Sequence, residues 1–385
     1  MSRAAPAAAV AHGLPPEAAR RVATTRVSIL IKALNEERHI AATLESVLAA
    51  TAHLDAEVVL ADSASTDRTL EIAAAYPVRV VTLARPDERC CGIGAQLGFQ
   101  HCDGDFVYIL DGDMVLRAGF LEQALAFLGE HPDIAGVGGQ IAEQNTESLE
   151  YIARNARHEA HKQPGEVDRL DGGALYRRDA VEAAGYLTDR NLHSYEEFDL
   201  AVRLRALGWR LWRLPLVATS HYGHDAPPYR LLVRRWRSRY IDGLGELVRA
   251  AAGRGQLRAV MRGVRELRLY LAVWAWWATL LAAALGPWSG PVRGLGVVGL
   301  LAAPFVAMAL RKRSTAKAAY SVVSWCFCAA GLLRGLLRGR RPARERIDSR
   351  VLREPDGAAV ALAPGHSTAR PASSSPTESP LPVPR

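Results

Sequence analysis

Cysteine is scarce in this chain, five residues in 385: Cys90, Cys91, Cys102, Cys326 and Cys328. Their spacing makes neither a zinc pattern nor a disulfide framework, and an odd count of thiols suits a reducing cytosol. RNA-binding aromatic motifs and zinc-finger spacings are missing too, so no nucleic-acid partner is expected despite a net charge of +8. The first twenty residues are rich in alanine and proline but lack the leucine-dense core of a signal peptide. Residues 1–24 therefore read as a loose arm ahead of a domain that stays cytosolic. Charge is absent from Leu269 to Leu285 and from Gly294 to Leu310, which argues against packed soluble helices, because no polar face remains to meet water.

What is present is unevenly spread. The composition is ordinary for a globular protein, 49% hydrophobic and 23% charged, yet apolar residues concentrate between Leu269 and Leu333. Each uncharged run is about 17 residues long, at the short limit for crossing ~30 Å of hydrocarbon. The sequence Gly286-Pro287-Trp288-Ser289-Gly290-Pro291 joins them tightly, so they read as an antiparallel hairpin. Arg262, Arg265 and Arg268 precede it and Arg311, Lys312 and Arg313 follow, which holds both ends on the cytosolic side. Ala318 to Leu333 is a third apolar run. With Arg334, Arg338, Arg340 and Arg341 beyond it, a re-entrant or interfacial helix is favoured over a third span. Arginines beside apolar segments point to anionic lipid headgroups. The expected plan is a loose arm (1–24), an α/β domain (25–245), a basic amphipathic linker (246–268), a membrane hairpin plus third helix (269–338), and a basic, then disordered tail (339–385).

Within 25–245, strand and helix alternate. Val27-Ser28-Ile29-Leu30-Ile31 has the apolar density of a central parallel strand. The polar turn from Lys32 to Glu37 follows, with Asn35 placed to cap a helix from about Glu36 to Ala50. Val58-Val59-Leu60 is a second buried strand, followed by Asp62-Ser63-Ala64-Ser65-Thr66-Asp67 and a helix over 68–76. Strands over 78–83, 106–110 and 135–141 continue the pattern, with helices ending near His101 and spanning 119–129 and 147–162. Such alternation predicts a doubly wound, mostly parallel α/β sheet, whose ligands gather outside the strands' carboxyl ends.

One of those ends reads Asp111-Gly112-Asp113. A pair of hard oxygen donors there suits Mg²⁺ or Mn²⁺, although Asp-Gly is equally the chemistry of a plain hairpin turn. Arg85, Arg89, Gly92 and Gly94 offer guanidinium groups and a helix amino terminus to a diphosphate, or else a solvated loop. The pair Gly172-Gly173 lets a ligand approach the backbone closely. Ser194 with Glu197 fits a capping box at the start of an amphipathic helix running to Leu207, and a strand over 209–218 leads to His221.

Taken in order, these motifs resemble the family 2 glycosyltransferases, which have the fold called GT-A. The likeness covers about Arg26 to Tyr240: the strand and loop to Asn35-Glu36-Glu37, then Asp62 to Thr69, Asp111 with Asp113, Gly172-Gly173, Glu196-Glu197 and Arg235-Trp236. It implies a nucleotide site of Ala33, Leu34, Glu36, Asp62, Ser63, Asp111 and Arg89. It implies Asp113 and Asp111 as ligands to Mg²⁺ or Mn²⁺, with His221 either a further ligand or a loop histidine. Gly172, Gly173, Arg235 and Trp236 would face sugar or acceptor. Glu197, with Glu196 beside it, would be the general base that activates a hydroxyl of a lipid-linked or envelope-glycan acceptor against a nucleotide-diphosphate sugar, with inversion. The enzyme would sit at the cytoplasmic membrane with its catalytic domain facing the cytosol. Departures are informative: Lys32 and Leu34 stand where the family usually has proline and tyrosine, and Glu197 where aspartate is commoner. Leu232 occupies the position at which processive members carry glutamine or arginine, which implies one sugar per encounter.

Two other classes compete. A sugar nucleotidyltransferase would want a glycine-rich loop and a lysine after the first strand, and Lys32-Ala33-Leu34-Asn35 is no such loop. A catalytically silent scaffold of a polysaccharide-assembly complex would have no use for both acidic sites.

Overall fold

The computed structural model describes residues 14–145, 159–223 and 226–355. Its centre is β1 (Val27–Ala33), flanked in parallel by β2 (Ala56–Asp62) and β4 (Phe106–Asp111), with β3 (Arg79–Leu83) beyond β2. Val27, Ile29, Leu30 and Ile31 are fully buried because helices cover both faces of these strands. Ile29 and Ile31 face α2 (Ile40–Thr51) and α5 (Phe120–Glu130), while Leu30 faces α4 (Cys91–Phe99). A short α3 (Thr69–Ala73) follows β2.

The parallel expectation holds for β1 to β4 and fails beyond them. After Asp111 the chain turns at Gly112 and forms β5 (Met114–Leu116), which runs antiparallel to β9 (Arg210–His221). β6 (Ile134–Glu143) runs parallel to β9 and antiparallel to β8 (Ala174–Arg177), and β8 closes the gap by pairing antiparallel to β4. β7 (Gly165–Val167) pairs antiparallel to β9. The sheet is therefore mixed.

Several boundaries depart from the sequence reading. Helix α2 starts at Ile40, not Glu36, because Asn35 takes a left-handed φ of 58° and turns its side chain towards the next loop. The arm includes an ordered helix, α1 (Pro16–Ala23), with proline at its start and Arg20 and Arg21 in its last turn; Ala18 and Val22 are buried, and the helix packs on α5. The expected helix over 147–162 lies mostly outside the described residues; within them, Ala160–Lys162 is a single 3₁₀ turn.

Downstream of β8 come α6 (Arg178–Ala183) and α7 (Glu196–Ala206); after β9 come α8 (Pro228–Arg237), α9 (Gly243–Gly253) and α10 (Leu257–Gly263). Three apolar helices follow: α11 (Glu266–Leu285), α12 (Gly290–Lys312) and α13 (Thr315–Leu337), of 20, 23 and 23 residues. All three are long and apolar enough to cross a membrane, and the first two exceed the sequence-drawn runs by several residues. Their packing differs. α11 and α12 meet through the Trp276 indole, which donates to Leu300 O at 2.9 Å; each also touches α13, through the Trp274 indole to Ala329 O at 2.9 Å and through Met308 against Ala318 and Val322, and most of their remaining apolar surface faces outwards. α13 instead touches the α/β domain along its length: Tyr320 meets Tyr229 edge-on, Phe327 meets Trp236, and Arg334 pairs with buried Asp242 at 2.7 Å.

The basic segment after α13 holds a strand that the sequence reading does not assign, while the disordered stretch expected beyond Arg353 lies almost wholly outside the described residues. Residues 339–355 return across the α/β domain and carry β10 (Ser349–Arg353), antiparallel to β3 at the sheet edge. Ile347 is fully buried, and the Gln100 side chain pairs with its backbone, accepting from its N–H at 2.8 Å and donating to its O at 3.2 Å.

Candidate active site

Strand register assembles the site. Pairing of β1 with β2 and β4 sets Ala33 opposite Asp62 and Lys32 opposite Asp111, so three side chains distant in sequence share one carboxyl-end edge. The two loops that follow are laced together. Asn35 Oδ1 accepts from Thr66 N–H at 2.8 Å, Ser65 Oγ from Asn35 N–H at 2.9 Å and Thr69 Oγ1 from Glu36 N–H at 2.8 Å. Asn35 thus ties loop to loop, and it does not cap α2. Asp62 is fully buried and accepts from Ser65 N–H at 3.0 Å and the Thr82 hydroxyl at 2.7 Å. Arg89 donates to Ser63 O at 2.7 Å and to Ala64 O, so the guanidinium expected on a diphosphate braces the loop. Ala33 is buried below this rim and Leu34 is exposed upon it.

Lys32 is the hub. Its ammonium lies 2.9 Å from Asp111, 3.2 Å from Glu197 and 3.6 Å from Glu196. Burial alone would lower its pKa, but the carboxylates of Asp111, Glu197 and Glu196 outweigh burial and hold it well above the ordinary lysine value. Glu196 and Glu197 open α7 directly after Tyr195, which has a left-handed φ of 68°. The expected capping box is not made: the Ser194 hydroxyl donates to Tyr240 O at 2.8 Å, and Glu197 is turned to Lys32. A bulky residue in that backbone region is costly, and such outliers cluster where a side chain must be aimed. Burial first, then the Glu197 charge, pushes the Glu196 carboxyl well up.

A second cluster adjoins the first. The β5–β9 register sets Met114 opposite His221, which brings His221 Nε2 to 3.3 Å from Asp113 Oδ2. The β6–β9 register sets Glu143 opposite His221, with Glu143 Oε2 2.6 Å from Nδ1. Burial opposes the imidazolium, but hydrogen bonds and charge from Asp113 and Glu143 prevail and raise its pKa to about 10. Glu36 stands over the same turn; burial, then Asp113 and Asp111, push its carboxyl up to about 8. Two glycines make this crowding feasible. A Cβ on Gly112 would meet Glu36 Cγ at 2.9 Å, and one on Gly172 would meet Asp111 Oδ2 at 2.8 Å.

Among the described residues no three His, Cys, Asp or Glu side chains form a ready-made metal cage. Asp111 and Asp113, with His221 beside them, still offer a donor set that suits a hard cation keeping waters and substrate phosphates in its remaining positions.

A cavity of about 520 Å³ opens between the clusters, lined by Lys32, Asp111, Gly172, Glu196, Glu197 and His221 and, towards the apolar helices, by Tyr195, Tyr240 and Glu266. That size suits a small-molecule substrate. Of the other expected contacts, Gly173 packs on Thr219 below the cavity wall. Arg235 lies over the Tyr240 ring at 5.2 Å, one residue back from the cavity. Trp236 is sandwiched by Arg334 and Phe327, so it joins α8 to α13 and does not face the cavity. Lys32 and Glu143 are the site residues that motif reading missed. Counting register from the carboxyl ends of two parallel strands would have found Lys32; no local signal marks Glu143.

Residues 28–185 match the family model described as glycosyl transferase family 2. They form a family 2 glycosyltransferase domain. The EpsE protein of Bacillus subtilis, a glycosyltransferase by name, is 28% identical over 201 residues, 49% of this chain and 70% of its own length. A Haemophilus influenzae protein described as an uncharacterized glycosyltransferase is 33% identical over 103 residues, 26% of this chain and 38% of its own. Among solved structures, the mannosyltransferase PcManGT of Pyrobaculum calidifontis, in complex with GDP-Man and Mn²⁺, superposes with a TM-score of 0.52 at 21% identity, covering 81% of this chain and 87% of its own. That likeness establishes the GT-A architecture of the family 2 domain.

Proposed function

We propose that this glycosyltransferase moves one sugar from a nucleotide-diphosphate donor to a hydroxyl of a lipid-linked or envelope-glycan acceptor, with inversion, at the cytosolic face of a membrane. The observation that carries the reading is the convergence of Asp111 and Glu197 on one ammonium, at 2.9 and 3.2 Å, at the wall of a substrate-sized cavity. Asp111 and Asp113, with His221, would hold Mg²⁺ or Mn²⁺, which when bound neutralises the diphosphate as it leaves. Glu197 is the better base. Its side chain is 24% exposed against 7% for Glu196, and the raised pKa of Glu196 keeps that acid largely protonated at neutral pH. Glu197 would take the acceptor hydroxyl's proton while the hydroxyl oxygen bonds to the anomeric carbon. The carbon's bond to the diphosphate breaks on the opposite side, giving inversion. The loops at Leu34 to Glu36 and Asp62 to Ser63 would bind the nucleoside. Lys32, fixed between donor and base acids, would hold both in register.

The membrane part of the proposal rests on the helices. We read α11 and α12 as a spanning hairpin whose cationic ends, Arg265 and Arg268 and then Arg311 to Arg313, stay with the catalytic domain. Because α13 contacts that domain from Tyr320 to Arg334, it fits an interfacial helix better than a third span. Glu266, the first residue of α11, lines the cavity, so an acceptor rising from the bilayer would meet the site directly.

Thermal-shift titration of the purified full chain with UDP, GDP and their sugars, with and without Mn²⁺, tests the reading. Wild type should be stabilised by one nucleotide class in a Mn²⁺-dependent way, and Asp113→Ala should lose that dependence. No shift with any nucleoside diphosphate would sink the proposal.

A further inference from the structure

The Asp113–His221 pair has a neighbour with no part in the reading above. Glu143 ends β6, its side chain 5% exposed, with Oε2 2.6 Å from His221 Nδ1; on the other side of the ring, Nε2 looks to Asp113 at 3.3 Å. Neither contact is adventitious, because the ladder sets both: β9 carries His221 between its partners, with Glu143 opposite on β6 and Met114 opposite on β5. A carboxylate that accepts a hydrogen bond from Nδ1–H fixes the ring plane, and a cation arriving on the Asp113 side would displace the proton from Nε2 and bind its lone pair. Metal-binding histidines are commonly oriented in this way.

We propose that Glu143 is a positioning residue for the divalent cation: it holds the His221 ring with Nε2 aimed at the Asp113 side, and so sets the affinity and the metal preference of that site. The inference rests on Asp113 and His221 binding a metal, as proposed above. Glu143 would touch neither metal nor substrate; its effect passes through the imidazole. Imidazole favours Co²⁺ over Mg²⁺ far more than carboxylate does, so a misaimed ring should cost Co²⁺ more than Mg²⁺.

The test measures metal binding to the full-length protein in detergent, without turnover. Free Mn²⁺ is followed by EPR at saturating nucleoside diphosphate, and Co²⁺ and Mg²⁺ compete against it, for wild type, Glu143→Gln, Glu143→Leu, His221→Ala and Asp113→Ala. Glu143→Leu should weaken Mn²⁺ by about 10–100-fold, with Glu143→Gln between it and wild type, and the Co²⁺ loss should exceed the Mg²⁺ loss. Nucleotide affinity in EDTA, unchanged in the Glu143 variants, would show that the domain is folded. Loss of Mn²⁺ binding in Asp113→Ala with wild-type affinity in both Glu143 variants would overturn the role of Glu143 and leave the metal site standing. Wild-type binding in Asp113→Ala would remove the metal site, and Glu143's role with it. Equal losses for Co²⁺ and Mg²⁺ in Glu143→Leu would overturn the orientation claim.

Discussion

Replacing Lys32 by methionine removes the one cation shared by Asp111, Glu196 and Glu197 while keeping the side chain's length and apolar stem. Breaking a buried ion pair from one side typically costs about 3–5 kcal/mol, because the remaining charge stays buried. The lower end applies here, since Asp111 and Glu197 are 34% and 24% exposed and draw some solvent screening. A loss of about 3 kcal/mol corresponds to a melting-temperature fall of ~6–12 °C for a unit this size. The pH dependence follows from the same charge. Lys32 opposes the rise in the Glu196 pKa caused by burial and Glu197, so without it the proton affinity of the acid pair climbs further. The acid limb of the kcat/KM profile should then move to higher pH, and Lys32→Arg should restore part of both effects. The assays are thermal unfolding in detergent and initial rates from about pH 5 to 9. A methionine variant that melts within about 2 °C of wild type and keeps its acid limb would refute the hub role of Lys32.

Glu197→Gln should retain Mn²⁺-dependent nucleotide binding yet lower turnover by roughly 10²–10⁴, whereas Glu196→Gln, which mimics an acid already largely protonated, should cost far less; equal losses would contradict the assignment of the base. The Glu36 carboxyl, raised to about 8, holds its proton in the fold, so its contribution is full below the unfolded value near 4.5 and is lost as pH climbs through 8. Melting curves in EDTA should therefore fall between those pH values in wild type and flatten in Glu36→Gln. Gly172→Ala would place a methyl 2.8 Å from Asp111 Oδ2 and should weaken donor binding with a smaller effect on melting, measured by nucleotide titration.

What could be read from the sequence was local. The buried strands ending at Ala33, Asp62 and Asp111, the Asp-Gly-Asp turn and the acidic pair announce themselves through apolar runs and short motifs, and the structure brings Asp111 and Glu197 together. What escaped was set by pairing. Lys32 looks like a solvated loop lysine until register sets it beside Asp111, and Glu143 is an ordinary strand-end acid until β9 runs past it. Arg89 is expected at a ligand because a guanidinium stands near a helix amino terminus, and Trp236 because the family resemblance implies it. Their partners are loop carbonyls and a packed helix, which sequence does not show. β10 was invisible because five residues with two arginines, Ser349 to Arg353, carry no apolar alternation.

That last strand changes how the domain should be bounded. Four buried or nearly buried acids, Asp242, Glu246, Asp189 and Glu88, each meet an arginine from the segment after the middle of α13: Arg334, Arg338, Arg340 and Arg341. The same segment grips the loop that leads to the acidic pair. Arg190 donates to Glu345 O and Arg346 O, each at 3.0 Å, and Asn191 exchanges hydrogen bonds with the Arg341 backbone. A domain cut at 245 would remove Glu246 together with its partner and leave Glu88 its pairs with Arg85 and Arg190, but it would strand buried Asp242 and Asp189 at several kcal/mol apiece and free the loop three residues ahead of Tyr195. Next to the left-handed Tyr195, Ser194 is held by the Tyr240 carbonyl, and Arg190 and Asn191 a few residues earlier are held by the returning tail. The position of the acidic pair therefore depends on chain lying on the far side of the apolar helices, and the folded unit runs from α1 to β10 with α11 and α12 as an insertion within it.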